Sequence, residues 1–279
     1  MQIGFIGQGF VGKSYADEFE NRGMPVTRYA LEAEYSGNKE KIKDCDIVFV
    51  AVPTPTTPSG FDYSIIELVL PLVGMGKTAV IRSTLLPGTT EELQKKFPQI
   101  IILHAPEFLA EVVAHFEVAR PIMNIVGYPA NSAPHREQTT AVLSILPQAR
   151  FSFVMTSREA EMMKYIHNTH GFMRVVYTNI MYDLAEKIGC DWGKIQAAME
   201  ADPMMSPFYN KPLHKSGRGA GGHCFIKDFA AFRQMYEKTI NDPLNLAVLA
   251  ALEKKNLALL KESNKDQALV EGVYGKQAA

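Results

Sequence analysis

The sequence predicts an α/β protein in which a doubly wound parallel sheet is followed by an all-helical domain. Short apolar, β-rich runs alternate with polar, helix-like stretches through residues 1–150, a pattern typical of βαβ units on a parallel sheet. From Ser157 onward the pattern changes to long segments with helical apolar periodicity. We therefore predict a first domain over residues 1–152 and a helical domain over residues 153–279.

The elements follow from apolar runs and their flanking turn residues. A proline-free segment that ends at a glycine predicts one long helix, Arg158–Gly189. We expect an ordered loop over 203–223 and a frayed end over about the last fifteen residues. The predicted strands are Ile3–Gly7, Val26–Tyr29, Asp46–Pro53, Ala79–Arg82, Ile100–Leu103 and Ile122–Val126, and the other helices are Trp192–Glu200, Asp228–Lys238 and Leu244–Ser263.

Composition narrows the possible partners. The formal net charge of −1 offers no electrostatic basis for binding nucleic acid or an anionic membrane. Cys45, Cys190 and Cys224 are too scattered for a disulfide framework, and no Cys/His spacing suggests a metal site. We expect a cytoplasmic protein, because the chain shows neither a signal peptide nor a run of apolar residues long enough to span a membrane.

A glycine-rich turn follows the first predicted strand. Residues 7–12 read Gly-Gln-Gly-Phe-Val-Gly. In GxGxxG the first glycine makes a tight turn, the second admits the pyrophosphate, and the third lets helix pack on strand. The position of the motif favours a Rossmann-like dinucleotide site over a structural glycine turn, with these candidate cofactor-binding residues: Gly7, Gly9, Phe10, Val11 and Gly12.

The end of the second strand leaves the choice of cofactor open. NAD sites usually carry an acidic residue there to bind the adenine ribose, whereas this chain has Ala30, with Glu32 shortly after. Arg28 is a candidate for binding the 2′-phosphate of NADP, although an arginine at a strand end is more often simply solvated. We expect NAD, with NADP as the alternative.

Two proline-containing turns follow later strands, at 51–56 and 82–90. Open α/β sheets bind ligands at the carboxyl ends of their strands, so ligand contact is favoured over simple loop chemistry. The candidate cofactor contacts in these turns are Val52, Pro53, Thr54 and Thr84.

Lys164 and Asn168 lie four residues apart on the predicted long helix and therefore share one face. An ammonium and an amide side by side can stabilise an oxyanion. Glu161 lies one turn earlier, so the alternative is a solvated Glu161–Lys164 pair with a nearby polar residue.

Cys224 follows several glycines and precedes Lys227 and Asp228. The glycines indicate close approach of the backbone to another group, and a nearby lysine favours the thiolate. The alternatives are a nucleophile and a small buried apolar residue. Cys45 and Cys190 lack such surroundings and are interpreted as structural.

Another candidate segment, 105–111, follows an apolar strand. Glu107 at the strand end is a candidate general base, and Glu111 fits the start of a helix. Phe108 and Leu109 are expected to pack in the interior, with their backbone lining the pocket.

Six stretches together resemble the UDP-glucose/GDP-mannose dehydrogenase family of nucleotide-sugar 6-dehydrogenases. They occur in the family's order and cover most of residues 1–230. The stretches are Gly-Gln-Gly-Phe-Val-Gly (7–12), Val-Pro-Thr-Pro (52–55), Ser-Thr-Leu-Leu-Pro-Gly-Thr-Thr (83–90), Pro-Glu-Phe-Leu-Ala-Glu (106–111), Glu-Met-Met-Lys-Tyr-Ile-His-Asn (161–168) and Gly-Ala-Gly-Gly-His-Cys-Phe-Ile-Lys-Asp (219–228).

The resemblance implies a cytoplasmic enzyme of polysaccharide biosynthesis that oxidises the CH₂OH of a nucleotide sugar to a carboxylate with NAD, in two hydride transfers. By position, Cys224 is the nucleophile that forms a thiohemiacetal and then a thioester. Lys164 and Asn168 stabilise the oxyanions, and Glu107 is the base for thioester hydrolysis. Thr84 and Asp228 hold the catalytic water.

The resemblance also implies a substrate site and a homodimer through the long helix. Lys215 matches a basic position near the phosphates of the nucleotide sugar. Besides Lys164 and Asn168, the implied substrate contacts are Phe108, Leu109, Glu111, Lys215 and Gly221.

The chain departs from the family pattern at Ala30, Ala220 and Ile226, and it is short enough that we expect the family's C-terminal nucleotide-binding domain to be missing. Two alternatives are a two-electron dehydrogenase resembling the β-hydroxyacid group, such as 6-phosphogluconate dehydrogenase, and a non-catalytic nucleotide-binding remnant. Cys224 separates the hypotheses, because a two-electron reaction needs no thiol.

Overall fold

A computed structural model describes residues 1–109, 114–205 and 207–276. These residues divide into two compact units. The first contains Met1–Thr54 and Asp62–Lys164, and the second contains Pro55–Phe61 and Tyr165–Ala279. The division predicted at residues 152 and 153 falls inside a strand of the first unit.

Seven of the described strands form one sheet. Its order is β2-β1-β3-β6-β7-β8-β9, and every neighbouring pair is parallel except β7 and β8. The predicted α/β fold is confirmed. The strands are β1 Ile3–Ile6, β2 Val26–Tyr29, β3 Ile47–Val50, β4 Thr56–Thr57, β5 Gly60–Phe61, β6 Thr78–Ile81, β7 Ile101–His104, β8 Met123–Tyr128, β9 Phe151–Thr156, β10 Leu213–His214 and β11 Gly217–Arg218.

The helices fill the connections of the sheet and make up most of the second unit. Two short 3₁₀ helices, Lys39–Asp44 and Leu70–Leu72, accompany them. The α-helices are α1 Phe10–Asn21, α2 Ala33–Ser36, α3 Ser64–Val69, α4 Thr89–Lys96, α5 Ala114–Ala119, α6 Ala133–Ile145, α7 Ser157–Lys187, α8 Trp192–Ala201, α9 Gly222–Thr239, α10 Pro243–Glu262 and α11 Gln267–Tyr274. No helix among the described residues has the length and apolar character needed to cross a membrane.

The core of the first unit forms where α1 packs on the central strands. Phe5 on β1 and Phe49 on β3 stack with ring centroids 4.9 Å apart, and Phe19 on α1 meets both edge-on. All three rings are fully buried. This packing places the glycine turn that joins β1 to α1 at the carboxyl edge of the sheet.

The core of the second unit joins α7 to α9. Phe172 and Phe229 stack with centroids 3.9 Å apart. A Cβ at Gly171 would lie 2.7 Å from the ring of Phe225, so a glycine on α7 is what allows α9 to approach this closely.

Four predictions about elements were wrong. Helix α9 begins at Gly222 rather than Asp228, and the predicted loop 203–223 contains the β10–β11 hairpin. The strand β9 was missed. The predicted frayed end forms α11, because Val270 and Val273 are buried against α9 and α10.

Candidate active site

The glycine turn has the geometry of a dinucleotide site. Gly7 has φ +91°, and a Cβ there would collide with the carbonyl of Ala51 after β3. A Cβ at Gly12 would collide with the carbonyl of Gly7. Gly9, by contrast, has no atom within 4 Å of the Cβ position. Two glycines therefore close the turn, and the third leaves open space where a pyrophosphate would approach.

The turn lies at a topological switch point. Strand β1 pairs with β2 on one side and with β3 on the other. The connection from β1 to β2 and the connection from β2 to β3 therefore run in opposite directions across the sheet. Ligands of open α/β sheets bind at the carboxyl ends of the strands at such a point. Helix α1 begins there, at Phe10, so the first-turn N–H groups of Phe10, Val11 and Gly12 are available to phosphate oxygens.

The predicted turns after β3 and β6 are joined by hydrogen bonds. The Ser83 hydroxyl accepts from the Val52 N–H at 3.0 Å and donates to the Val52 carbonyl at 2.7 Å. The Thr54 hydroxyl donates to the Thr84 carbonyl at 2.9 Å. The structure therefore brings Val52, Thr54 and Thr84 together beside the glycine turn, with Pro53 between them.

Arg28 makes two ion pairs with α1. Its Nη1 lies 2.6 Å from Asp17 Oδ1, and its Nη2 lies 2.7 Å from Glu20 Oε2. The guanidinium charge is thus already matched by two carboxylates. This arrangement disfavours Arg28 as a ligand for a 2′-phosphate.

Lys164 and Glu107 form a buried ion pair in the first unit. The ammonium donates to the Glu107 carbonyl oxygen at 2.5 Å and lies 3.1 Å from Glu107 Oε1. Glu107 Oε2 in turn accepts from the Leu109 N–H at 2.7 Å. The ammonium also lies 5.4 Å from the ring centroid of Phe108. The predicted base and the predicted oxyanion donor are therefore direct partners.

Glu161 does not form the solvated pair with Lys164 that was the alternative interpretation. It is buried and accepts from the Gly88 N–H at 2.6 Å and from the Thr90 N–H at 2.8 Å, at the N-terminus of α4. Burial raises its pKa to about 7, against the opposing effect of these hydrogen bonds. Glu161 anchors the start of α7 to the N-terminus of α4.

In the second unit, two predicted site residues, Asn168 and Asp228, are direct partners. This carboxylate is fully buried and accepts from Asn168 Nδ2 at 2.6 Å and from Lys227 Nζ at 2.5 Å. Cys224 lies in the first turn of α9, half-buried, four residues before Asp228 and so on the same helix face. The start of α9 at Gly222, which the sequence did not predict, is what places the sulfur at a helix N-terminus.

Two other predicted substrate contacts, Lys215 and Gly221, lie in the segment of the second unit that precedes α9. Lys215 is exposed at the tip of the β10–β11 hairpin with φ +55°, and Gly221 is the N-cap of α9. A Cβ at Gly221 would collide with Asp266 of the same unit, so this glycine is required by the chain's own packing. Glu111 lies outside the described residues.

Sequence reasoning missed a buried polar cluster beneath the carboxyl edge of the sheet. The guanidinium carbon of Arg82 lies 3.8 Å from the ring centroid of Tyr15, and Arg82 is almost fully buried. Burial, together with the positive charges of Arg82 and Lys164, lowers the pKa of His104 to about 3, so this imidazole is neutral. The sequence signal that could have revealed this cluster was Arg82, a charged residue directly after the apolar strand β6.

No group of three or more His, Cys, Asp or Glu side chains within the described ranges is arranged to hold a metal ion. The first unit instead carries a dinucleotide-type turn and a buried Lys–Glu pair, and the second unit carries a thiol at a helix N-terminus. The glycine turn of the first unit is of the type that binds dinucleotides in open α/β folds.

Comparison with known proteins assigns the family. The model of the family's NAD-binding domain matches residues 28–143, and that of its central domain matches residues 158–257. The chain therefore belongs to the UDP-glucose/GDP-mannose dehydrogenase family.

Individual relatives are distant. The chain is 27% identical over 257 residues to a putative UDP-glucose 6-dehydrogenase of Bacillus subtilis, covering 86% of this chain and 57% of that protein. A UDP-glucose dehydrogenase structure from Pyrobaculum islandicum matches with a TM-score of 0.77 at 23% identity, covering 94% of this chain and 70% of that one. A 3-hydroxyisobutyrate dehydrogenase from Salmonella typhimurium matches with a TM-score of 0.69 at 16% identity, covering 97% and 99%. At these identities the structural likeness establishes the fold.

Proposed function

We propose that the protein oxidises the primary alcohol of a nucleotide sugar to a carboxylate in two steps. In the balanced reaction, one CH₂OH group, one water and two NAD⁺ give one carboxylate, two NADH and three protons. A nicotinamide cofactor held at the turn of Gly7, Gly9 and Gly12 would supply the hydride acceptor for each oxidation. The observation that carries the proposal is the hydrogen bond from Asn168 to Asp228, which joins Asn168 on α7 to the face of α9 that bears Cys224.

In this proposal Cys224 is the nucleophile. Its thiolate adds to the aldehyde carbon formed by the first oxidation and gives a thiohemiacetal. The second oxidation converts that adduct to a thioester, which water cleaves to release the acid and restore the thiol. The position of Cys224 in the first turn of α9 supports this role, because a helix N-terminus favours a thiolate.

Lys164 and Asn168 are proposed to stabilise the oxyanions of the tetrahedral adducts. They lie four residues apart on α7, which continues without a break from one residue to the other. Their acidic partners, Glu107 and Asp228, hold the ammonium and the amide in fixed orientations. Preorganised donors of this kind stabilise developing negative charge.

Hydrolysis of the thioester needs an activated water. We assign Glu107 as the base that accepts its proton, because its carboxylate is already held by Lys164 and by the Leu109 N–H. Thr84 and Asp228 are proposed to position the same water.

NAD is the proposed cofactor. Gly7, Gly9 and Gly12 accommodate a dinucleotide, with Phe10 and Val11 at the start of α1 and Val52, Pro53, Thr54 and Thr84 as further contacts. NAD is preferred to NADP because Arg28 is neutralised by Asp17 and Glu20.

For the substrate, a nucleotide sugar is supported by the family and by the exposed basic tip at Lys215, which suits a diphosphate. Phe108, Leu109, Glu111 and Gly221 are proposed to complete its site. The chain spans 57% of the length of the Bacillus subtilis relative, so the identity of the sugar stays a proposal for experiment.

A homodimer through α7 is also proposed. The exposed apolar side chains of α7 recur at helical spacing and form one stripe along the helix. A soluble monomer rarely presents such a stripe. The stripe comprises Met162, Ile166, Met173, Tyr177, Ile180 and Leu184 on α7, and Ile188 directly after its end.

The test is a panel of UDP- and GDP-sugars with NAD and then NADP, followed by NADH absorbance. Two NADH for each acid formed, with loss of acid production in Cys224→Ala, is the expected result. One NADH per turnover and full activity in Cys224→Ala would support the two-electron alternative instead. That alternative has one favourable observation, the fold likeness to a 3-hydroxyisobutyrate dehydrogenase over nearly the whole chain.

A further inference from the structure

The glycine loop that precedes Cys224 is held by the chain segment at the end of α10. Asn256 brackets Ala220, accepting from its N–H at 2.6 Å and donating to its carbonyl at 3.0 Å. The Ser263 hydroxyl accepts from the Arg218 N–H at 3.0 Å. The loop glycines are therefore explained by the packing of this segment, since a Cβ at Gly217 would lie 2.5 Å from Ser263 Cβ.

Lys265 is a buried cation inside this loop. Its side chain donates to the carbonyls of Gly217 at 3.3 Å and Gly219 at 2.9 Å. No carboxylate lies within ion-pair distance of it among the residues that the structure describes. Burial lowers its pKa, while the negative charge of Asp266 acts in the opposite direction. An ammonium is costly to bury in this way, and an apolar side chain would fill the same space at lower cost.

Asp266 lies on the other side of the same loop, at the N-terminus of α9. Its Oδ2 accepts from the Gly222 N–H at 2.7 Å, and Gly222 is the first residue of that helix. Cys224 follows two residues later, in the same turn. A fixed anion at this end of α9 offsets the positive end of the helix dipole.

We propose that Lys265 and Asp266 are positioning residues for Cys224 and act with opposite sign on its reactivity. Lys265 fixes the loop carbonyls and adds positive charge that favours the thiolate. Asp266 fixes the first turn of α9 and adds negative charge that opposes the thiolate. The assignment of Cys224 as nucleophile rests on the proposed function, but the charge effects do not require turnover.

Other charged groups surround the same turn and belong in the interpretation of any pH profile. His223, Lys227 and Asp228 lie on α9 itself, and Lys215 lies in the preceding hairpin. Helix α7 contributes Asn168, which carries no charge. Lys227 and Asp228 are paired with each other, and Lys265 and Asp266 are the charges that hold the loop and the first turn of α9.

The experiment measures the rate of Cys224 alkylation by iodoacetamide against pH in the full chain. Cys190→Ala is the background, because Cys190 is exposed whereas Cys45 is buried. We expect Lys265→Met to move the pH midpoint of alkylation upward and Asp266→Asn to move it downward. Each change should alter the rate below the midpoint by about two- to fivefold, the range for a charge at a helix end. Lys265→Arg, which keeps the charge, should retain the wild-type midpoint.

Lys254→Met is the matched control, since it removes an exposed cation from α10. It should leave the midpoint unchanged. Midpoints that move in the same direction in Lys265→Met and Asp266→Asn, or that do not move, would overturn the proposal. If Lys265→Met does not fold, Lys265→Gln takes its place, because it removes the charge and keeps an N–H donor for the loop carbonyls.

Measurements of turnover distinguish a failure of this positioning role from a failure of the proposed function. We expect Lys265→Met to lower kcat several-fold with little change in the KM for the nucleotide sugar. An enzyme that produces no acid at all, but shows the opposite midpoint shifts, would contradict the proposed function and leave the positioning role in place.

Discussion

The ammonium of Lys164 contacts Glu107 twice, at the backbone carbonyl at 2.5 Å and at the carboxylate at 3.1 Å. Both side chains are almost entirely removed from water. A buried pair of this kind depends on both partners, because the loss of one leaves the other charge uncompensated.

This pairing predicts a strong coupling in stability. Lys164→Met or Glu107→Gln alone should lower the free energy of unfolding by about 3–5 kcal/mol. The double variant should lose less than the sum of the two, because no charge is then left without a partner. Urea denaturation of the four proteins gives the coupling energy. Additive losses would show that the pair is not formed.

Glu107→Gln should also trap the acyl intermediate. Without a carboxylate to accept a proton from water, thioester hydrolysis is expected to become rate-limiting and to slow about 100-fold or more. Mass spectrometry of the acid-quenched enzyme should then find the sugar on the peptide that contains Cys224. Glu137→Gln, an exposed carboxylate on α6, is the control and should show no adduct. An empty Cys224 peptide during steady turnover of Glu107→Gln would contradict the role of Glu107.

Substitution by alanine should have different effects on stability and on NADH affinity at two glycines of the same turn. The Cβ of Gly12→Ala would collide with the Gly7 carbonyl, so a loss of about 1–3 kcal/mol in the free energy of unfolding is expected. The Cβ of Gly9→Ala enters open space, so stability should change little while NADH affinity falls about tenfold. Thermal unfolding and fluorescence titration with NADH measure the two effects. Tight NADH binding by Gly9→Ala would argue against the proposed cofactor site.

The raised pKa of Glu161 predicts that the free energy of unfolding depends on pH. Its pKa is raised by burial to about 7 from the ordinary 4.5, so the folded state holds the proton more tightly than the unfolded state. The resulting stabilisation is complete below about pH 4.5 and is lost as the pH rises through 7. Its size is about 3.5 kcal/mol at most, since the pKa is raised by about 2.5 and each unit of pKa corresponds to about 1.4 kcal/mol.

Glu161→Gln removes this titration. The free energy of unfolding of the wild type should therefore fall relative to Glu161→Gln between pH 5 and pH 8 in urea titrations. The same comparison with Glu137→Gln should be flat. A constant difference between wild type and Glu161→Gln across that range would show that Glu161 titrates normally.

The apolar stripe on α7 predicts self-association. Leu184→Glu places a charge in the stripe and should convert a dimer to a monomer in sedimentation velocity. Lys187→Glu changes the charge of an exposed polar position on the same helix and should leave the dimer intact. A wild-type protein that sediments as a monomer at high concentration would contradict the dimer.

Local patterns in the sequence were sufficient to predict most of the fold. The central strands of the first unit, such as β1 and β3, are continuous apolar runs because both of their faces are buried, and such runs are visible in the sequence. β9 is an exposed edge strand, and it was missed because the predicted domain division fell inside it, so its apolar residues were not assigned to the sheet. The start of α9 was missed because Gly221 and Gly222 read as loop, whereas the Asp266 carboxylate supplies the acceptor that begins the helix there.

The sequence by itself determined the parallel sheet, the dinucleotide turn and the candidate residues Lys164, Asn168 and Cys224, because periodicity and motif spacing are local properties of the chain. Only the tertiary structure decided their partners. The pairing of Lys164 with Glu107, the anchoring of Glu161 at α4 and the hold of Lys265 on the glycine loop all join residues far apart in the chain. Such contacts depend on which buried polar groups have a complementary partner within reach once the chain is folded.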